Sequence, residues 1–100
     1  MKIKTQAVHF TADQKLVDFI DSKLSKLDQF YDRIISAEVT LKLENSGQVR
    51  DKIADVIINV PGGTLITKET QKTFEAAVDS AVDSLKRQLI KHKEKSMAKR

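Results

Sequence analysis

The sequence predicts an α+β fold, a two-layer sandwich in which a four-stranded sheet carries two helices on one face, in the order βαβββα. Three observations predict it. Apolar residues recur at spacings of three and four in two segments, one early and one at the end. Between them, consecutive segments alternate apolar and polar residues. Short breaks rich in turn formers join those segments, as an antiparallel meander requires.

Residues 2 to 8 alternate loosely and predict a short first strand. Thr11 and Gln14 match a capping box, in which a hydroxyl and an amide satisfy the free N–H groups of a helix start. Val17, Ile20, Leu24, Leu27 and Tyr31 then form one stripe on a helix over residues 12 to 31. The period changes at Ala37. Ala37, Val39, Leu41 and Leu43 alternate with Glu38, Thr40, Lys42 and Glu44, which predicts a strand with the first set inward. Asn45, Ser46 and Gly47 punctuate it. In the third strand Ala54, Val56, Ile58 and Val60 point inward, and Ile57 is an apolar exception on the outer side. Pro61-Gly62-Gly63 predicts a tight reversal into a fourth strand over residues 64 to 69. The closing helix is expected over 71 to 95, with Phe74, Val78, Ala81, Val82, Leu85, Leu89 and His92 along its stripe. Residues 96 to 100 are expected to fray as a basic tail.

One hundred residues suit one domain, residues 1–100, with one core. The chain has no cysteine, which excludes disulfides and thiolate metal sites and fits an intracellular location. The N-terminal residues carry no apolar run of a secretory signal, and no stretch reaches membrane-spanning length, so a cytoplasmic protein without a membrane partner is expected.

Catalysis finds no support in the residues. His9 and His92 are far apart, and no Ser-His-Asp or Cys-His order stands out. His9 reads as a surface residue after the first strand, and His92 as a packing or solvent-facing residue at the stripe's border. Gly62-Gly63 lacks the following Lys-Ser/Thr of a phosphate loop. The pairs Asp28/Asp32 and Asp79/Asp83 are helical neighbours with a solvated reading. The expectation is a protein that is not an enzyme, with no catalytic residue, metal, cofactor or small-molecule substrate.

Charge placement says more. The net charge is +4, but residues 86 to 100 hold seven basic residues and one acid, a net +6 that leaves the rest of the chain slightly acidic. Such asymmetry points to a polyanion. Arg87, Lys91 and Lys95 fall within an arc of roughly 80°, centred about 130° from the apolar stripe. Lys86 and Lys93 form a second stripe on the opposite flank. Phosphates of A-form RNA attract such a surface and release counterions on binding. In the first helix Lys23 and Lys26 lie off the stripe, with Asp18, Asp21 and Asp28 on the other side. A plainer account exists for all of these. Glu75, Asp79 and Asp83 early and cations late would stabilise any helix, and lysines serve solubility. Charge pattern alone does not choose between the two.

Two stretches do. Residues 23 to 44, KLSKLDQFYDRIISAEVTLKLE, and 74 to 95, FEAAVDSAVDSLKRQLIKHKEK, resemble the ribosome hibernation promoting factor and ribosome-associated inhibitor family. The family's basic-x-x-Lys-Leu-(Glu/Asp) pattern is matched by Lys23, Lys26, Leu27 and Asp28. Its Ala-(Ile/Val)-Asp is matched by Ala77-Val78-Asp79, and its Leu-x-Arg-Gln-Leu-x-Lys by Leu85, Arg87, Gln88, Leu89 and Lys91. Lys91-His92-Lys93-x-Lys95 is similar to the short members, and the Asn/Pro-Gly-Gly hairpin to Pro61-Gly62-Gly63. The chain stops after the last helix, as the short form does. Where the family often has a lysine one turn before the arginine, this chain has Ser84.

The resemblance implies a fold related to double-stranded RNA-binding domains. It implies binding to the small ribosomal subunit and its ribosomal RNA, between head and body, across the paths of messenger and transfer RNA. Translation would then be blocked by occlusion, under stress or in stationary phase, by a protein monomeric off the ribosome. It carries RNA contacts onto Lys23, Lys26, Arg87, Lys91 and Lys93, and the basic stripes add Lys86 and Lys95. The alternatives are a generic double-stranded RNA binder and a sigma-factor-modulating interaction protein.

Overall fold

The computed structural model describes residues 1–46 and 49–98. Strand β1 (Lys2–Ala7) leads into helix α1 (Gln14–Ser25), which tightens into a 3₁₀ turn over Lys26–Gln29. Strands β2 (Ser36–Ser46), β3 (Val49–Val60) and β4 (Gly63–Gln71) follow, then helix α2 (Phe74–Ala98). The sheet order is β1-β2-β3-β4. β2, β3 and β4 form the expected antiparallel meander. β1 lies parallel to β2 at the edge, because a helical crossover returns the chain to the same end of the sheet.

Alternation decides which face is covered. Ala37, Val39 and Leu41 of β2 and Ala54, Val56, Ile58 and Val60 of β3 are buried against Ile20, Leu24 and Leu27 and against Phe74, Val78, Ala81, Leu85 and Leu89. Both helices therefore lie on that one face. Contacts between the two helical segments rise together along the chain: Phe10 stacks on Phe74, Lys23 meets Asp79, Phe30 meets Lys86, and Tyr31 meets His92. The helices thus run in the same direction. At 1.5 Å per residue α2 is about 37 Å long. The other two dimensions of the molecule are 26 and 17 Å, so α2 must run mainly along its 52 Å axis.

Several local expectations are corrected. The N-cap of α1 is Asp13, whose Oδ1 accepts from the Leu16 N–H at 2.8 Å, and the Thr11/Gln14 box does not form. A carboxylate there also complements the helix dipole. Gln14 instead donates to Asp18. The expected single helix over 12–31 ends at Ser25, and the 3₁₀ turn keeps Leu27 in the core. Asn45 and Ser46 extend β2, and β3 starts five residues earlier than the alternation marked, at Val49. Gly47 lies outside the described residues. Leu43 shares the inner pleat but is 38% exposed, since it pairs with Lys52, beyond Ala54, the first inward residue of β3 that the helices bury. Gly62, at φ 82°, follows Pro61 between the paired Val60 and Gly63, the residue pattern of a type II turn. Thr73 caps α2, its Oγ1 accepting from the Ala76 N–H, so the helix starts at Phe74 rather than at 71. It also continues to Ala98, past the point where fraying was expected. Ile57 does face outward, opposite Ile66 of β4, which is 64% exposed.

Candidate nucleic-acid interface

Basic residues reach the helix layer because α2 continues as a helix beyond the acidic first half of its sequence. Ser84 and Gln88 fix its rotation on the sheet. Ser84 Oγ accepts from Thr67 Oγ1 at 3.3 Å, and Gln88 Nε2 donates to the Ile66 carbonyl at 3.3 Å. This flank of α2 therefore faces β4. Arg87 and Lys91 border it, exposed, and Lys95 continues the stripe one turn on. On the opposite flank Lys86 Nζ sits 4.6 Å from the Phe30 ring centroid, just past the 3₁₀ turn. Exposed Lys93 follows at two turns' spacing.

The first helix contributes unevenly. Lys23 Nζ lies 3.0 Å from Asp79 Oδ1 and 5.5 Å from the Phe19 ring centroid. That lysine is thus already partnered by a carboxylate of α2. Lys26 opens the 3₁₀ turn and is exposed. Among the described residues the ion pairs are Lys23–Asp79, Lys42–Asp55 and the Met1 amine with Asp28. Lys26, Lys86, Arg87, Lys91, Lys93 and Lys95 take part in none of them. The structure gathers the five α2 cations around the outward surface of one helix and sets Lys23 apart by its pairing.

Three participants escaped sequence reasoning. Asp79 and Phe30 act across the interhelical seam, where spacing along one segment carries no signal. Gln88 was visible as a motif residue, but its bond to β4 depends on tertiary packing. Lys86 does not stand in for a lysine at position 84, because Ser84 faces β4 and Lys86 faces Phe30. No group of His, Asp or Glu that could hold a metal occurs among the described residues, and no described helix is long and apolar enough to cross a membrane.

A family model described as sigma 54 modulation protein / S30EA ribosomal protein matches residues 3–97, from β1 almost to the end of α2. The chain belongs to this family. A ribosome hibernation promoting factor of Klebsiella oxytoca is 42% identical over 78 residues, 78% of each chain. One from Pseudomonas putida is 30% identical over 98% of this chain and 92% of its own. Among solved structures, the N-terminal domain of Thermus thermophilus Protein Y superposes with a TM-score of 0.81 at 28% identity, covering 92% of this chain and 99% of that one. A ribosomal subunit interface protein from Coxiella burnetii gives 0.83 at 21% identity, over 94% of this chain and 99% of that one, a likeness of fold. For an S30EA family member the βαβββα order is thus matched both in sequence and in three dimensions.

Proposed function

We propose that this S30EA family member is a ribosome-associated hibernation factor. In this reading it binds small-subunit ribosomal RNA in the decoding channel and inhibits translation by occupying the paths of messenger and transfer RNA. Five unpaired cations on the outward surface of α2 carry the reading. Relatives named ribosome hibernation promoting factors support it along nearly the whole chain. The mechanism is occlusion: a bound protein competes by mass action, and no bond is made or broken. Lys26, Lys86, Arg87, Lys91, Lys93 and Lys95 would meet phosphates and 2′-hydroxyls, which fix position rather than read sequence. Lys23 would join them once released from Asp79. The protein acts in the cytoplasm, as a monomer before it binds.

Sedimentation tests this directly. The protein is expected to travel with small subunits at low salt and to leave them as salt rises. Five phosphate contacts give a slope of about −3.5 to −4.5 in log affinity against log salt. A protein that stays at the top of the gradient at low salt rules the reading out. The sigma 54 wording in the family description motivates one alternative, a protein–protein contact with a sigma factor, for which binding would vary little with salt.

The Lys23–Asp79 pair gives a second expectation. It is part-exposed on both sides, so its loss should change stability by less than about 1 kcal/mol. Asp79→Asn frees Lys23 and removes a carboxylate from the cationic layer. Affinity for small subunits should therefore rise, by about threefold, as measured by filter binding at fixed salt.

A further inference from the structure

The outward flank of α2 is not uniformly polar. Ile90 stands 38% exposed between Arg87 and Lys91, in a run of ten residues that holds five cations. Around it Arg87, Gln88, Lys91 and Glu94 border a shallow open trough of about 460 Å³. A β-branched residue is neither a strong helix former nor a solubilising one, so helix formation does not account for it. Nothing in the described part of the chain covers it.

The polar groups of the trough have fixed roles. Gln88 Nε2 donates both to the Ile66 carbonyl and to Ser84 Oγ, each at 3.3 Å. A carbonyl can only accept, so the amide nitrogen must face β4. Gln88 Oε1 is then left as an acceptor. Glu94 is a second acceptor, and it is in no ion pair with Arg87 or Lys91 among the described residues. Cations lie toward one end, a carboxylate toward the other, with an aliphatic surface between.

We infer that this trough holds one unstacked nucleotide of the bound RNA, an inference that rests on the RNA-binding reading above. The phosphate sits between Arg87 and Lys91. The base packs flat on Ile90 and turns its N–H donors toward Gln88 Oε1 and Glu94. The Glu94 carboxylate repels phosphate and so sets the direction of the nucleotide. Guanine, with two adjacent N–H donors on its Watson–Crick edge, matches two acceptors best. Splayed-out bases are the part of an RNA that proteins read most readily, so the surface would add a base contact to otherwise phosphate-directed binding.

Two measurements test it. In the methyl spectrum of the full chain, GMP should shift the Ile90 methyl resonances more than ribose 5-phosphate or inorganic phosphate does at equal concentration. A GMP response no larger than that to inorganic phosphate overturns the proposal. Second, Ile90→Ser should weaken binding to small subunits about fivefold and leave the salt slope unchanged, since no cation is altered. Wild-type affinity in a folded Ile90→Ser variant also overturns it, while salt-sensitive ribosome binding by the parent chain would survive. If the parent chain fails to bind small subunits, the RNA-binding reading falls instead, and the GMP titration still reports on the trough alone.

Discussion

Reversing the charge of Arg87 and Lys91 together is expected to lower affinity for the small ribosomal subunit by about a hundredfold. A hydrogen bond to a charged group contributes about 1.5–3 kcal/mol, so two lost phosphate contacts exceed the roughly 2.8 kcal/mol that a hundredfold change requires. Both residues are exposed and neither is in an ion pair among the described residues, so the fold does not depend on their charge. Two glutamates four apart near a helix C-terminus should cost the helix less than about 1 kcal/mol each. The double variant Arg87→Glu with Lys91→Glu should therefore keep its circular dichroism while leaving the ribosome fraction. Its residual binding should show a salt slope shallower by about two. Unchanged ribosome affinity would remove α2 from the interface. Neutral variants at Lys42 and Lys68, on the outer face of the sheet, serve as controls and should bind as the parent does.

Leu85→Ala should have the largest effect on stability. Leu85 is fully buried where α2 crosses the sheet, one position after Ser84, which bonds to Thr67 of β4. Truncating a buried leucine costs about 2–5 kcal/mol through lost transfer free energy and the cavity left behind. A domain of this size has only about 5–15 kcal/mol in total. The melting temperature should fall by at least about 10 °C, and the urea midpoint should shift with little change in slope. Below the new melting point the folded variant should still bind small subunits, because every cation of α2 remains. A midpoint within 2 °C of the parent, taken here as about the resolution of the comparison, would mean that Leu85 is not where the helix layer grips the sheet.

The layers were legible in the sequence because burial imposes a period. Val39, Leu41, Val56 and Ile58 alternate because a sheet covered on one face needs them to, and Ile20, Leu24, Leu85 and Leu89 follow helical spacing for the same reason. Element ends were less legible, because they are settled by single side chains. Thr11 and Asp13 are both competent caps, and the chain's turn after His9, with its φ of 64°, places Asp13 at the helix start. The 3₁₀ turn at Lys26–Gln29 leaves no periodic trace that separates it from α-helix. The basic surface was visible as a surplus of lysine on two stripes of α2. The restraint on Lys23 was not, since its partner Asp79 lies 56 residues away in sequence and becomes a neighbour only when the helices pack.

The parallel run of the two helices along the long axis has a kinetic consequence. Lys86, Arg87, Lys91, Lys93 and Lys95 occupy the second half of a rod-like element, while Glu75 and Asp79 occupy the first. The molecule therefore carries a lasting electrical polarity from end to end. Approaching a polyanion, it experiences a torque before it touches anything, and encounters with the acidic end leading are filtered out. Arrival in a usable orientation then becomes common rather than rare, and the association rate should exceed that of an unsteered pair while falling steeply as salt is added.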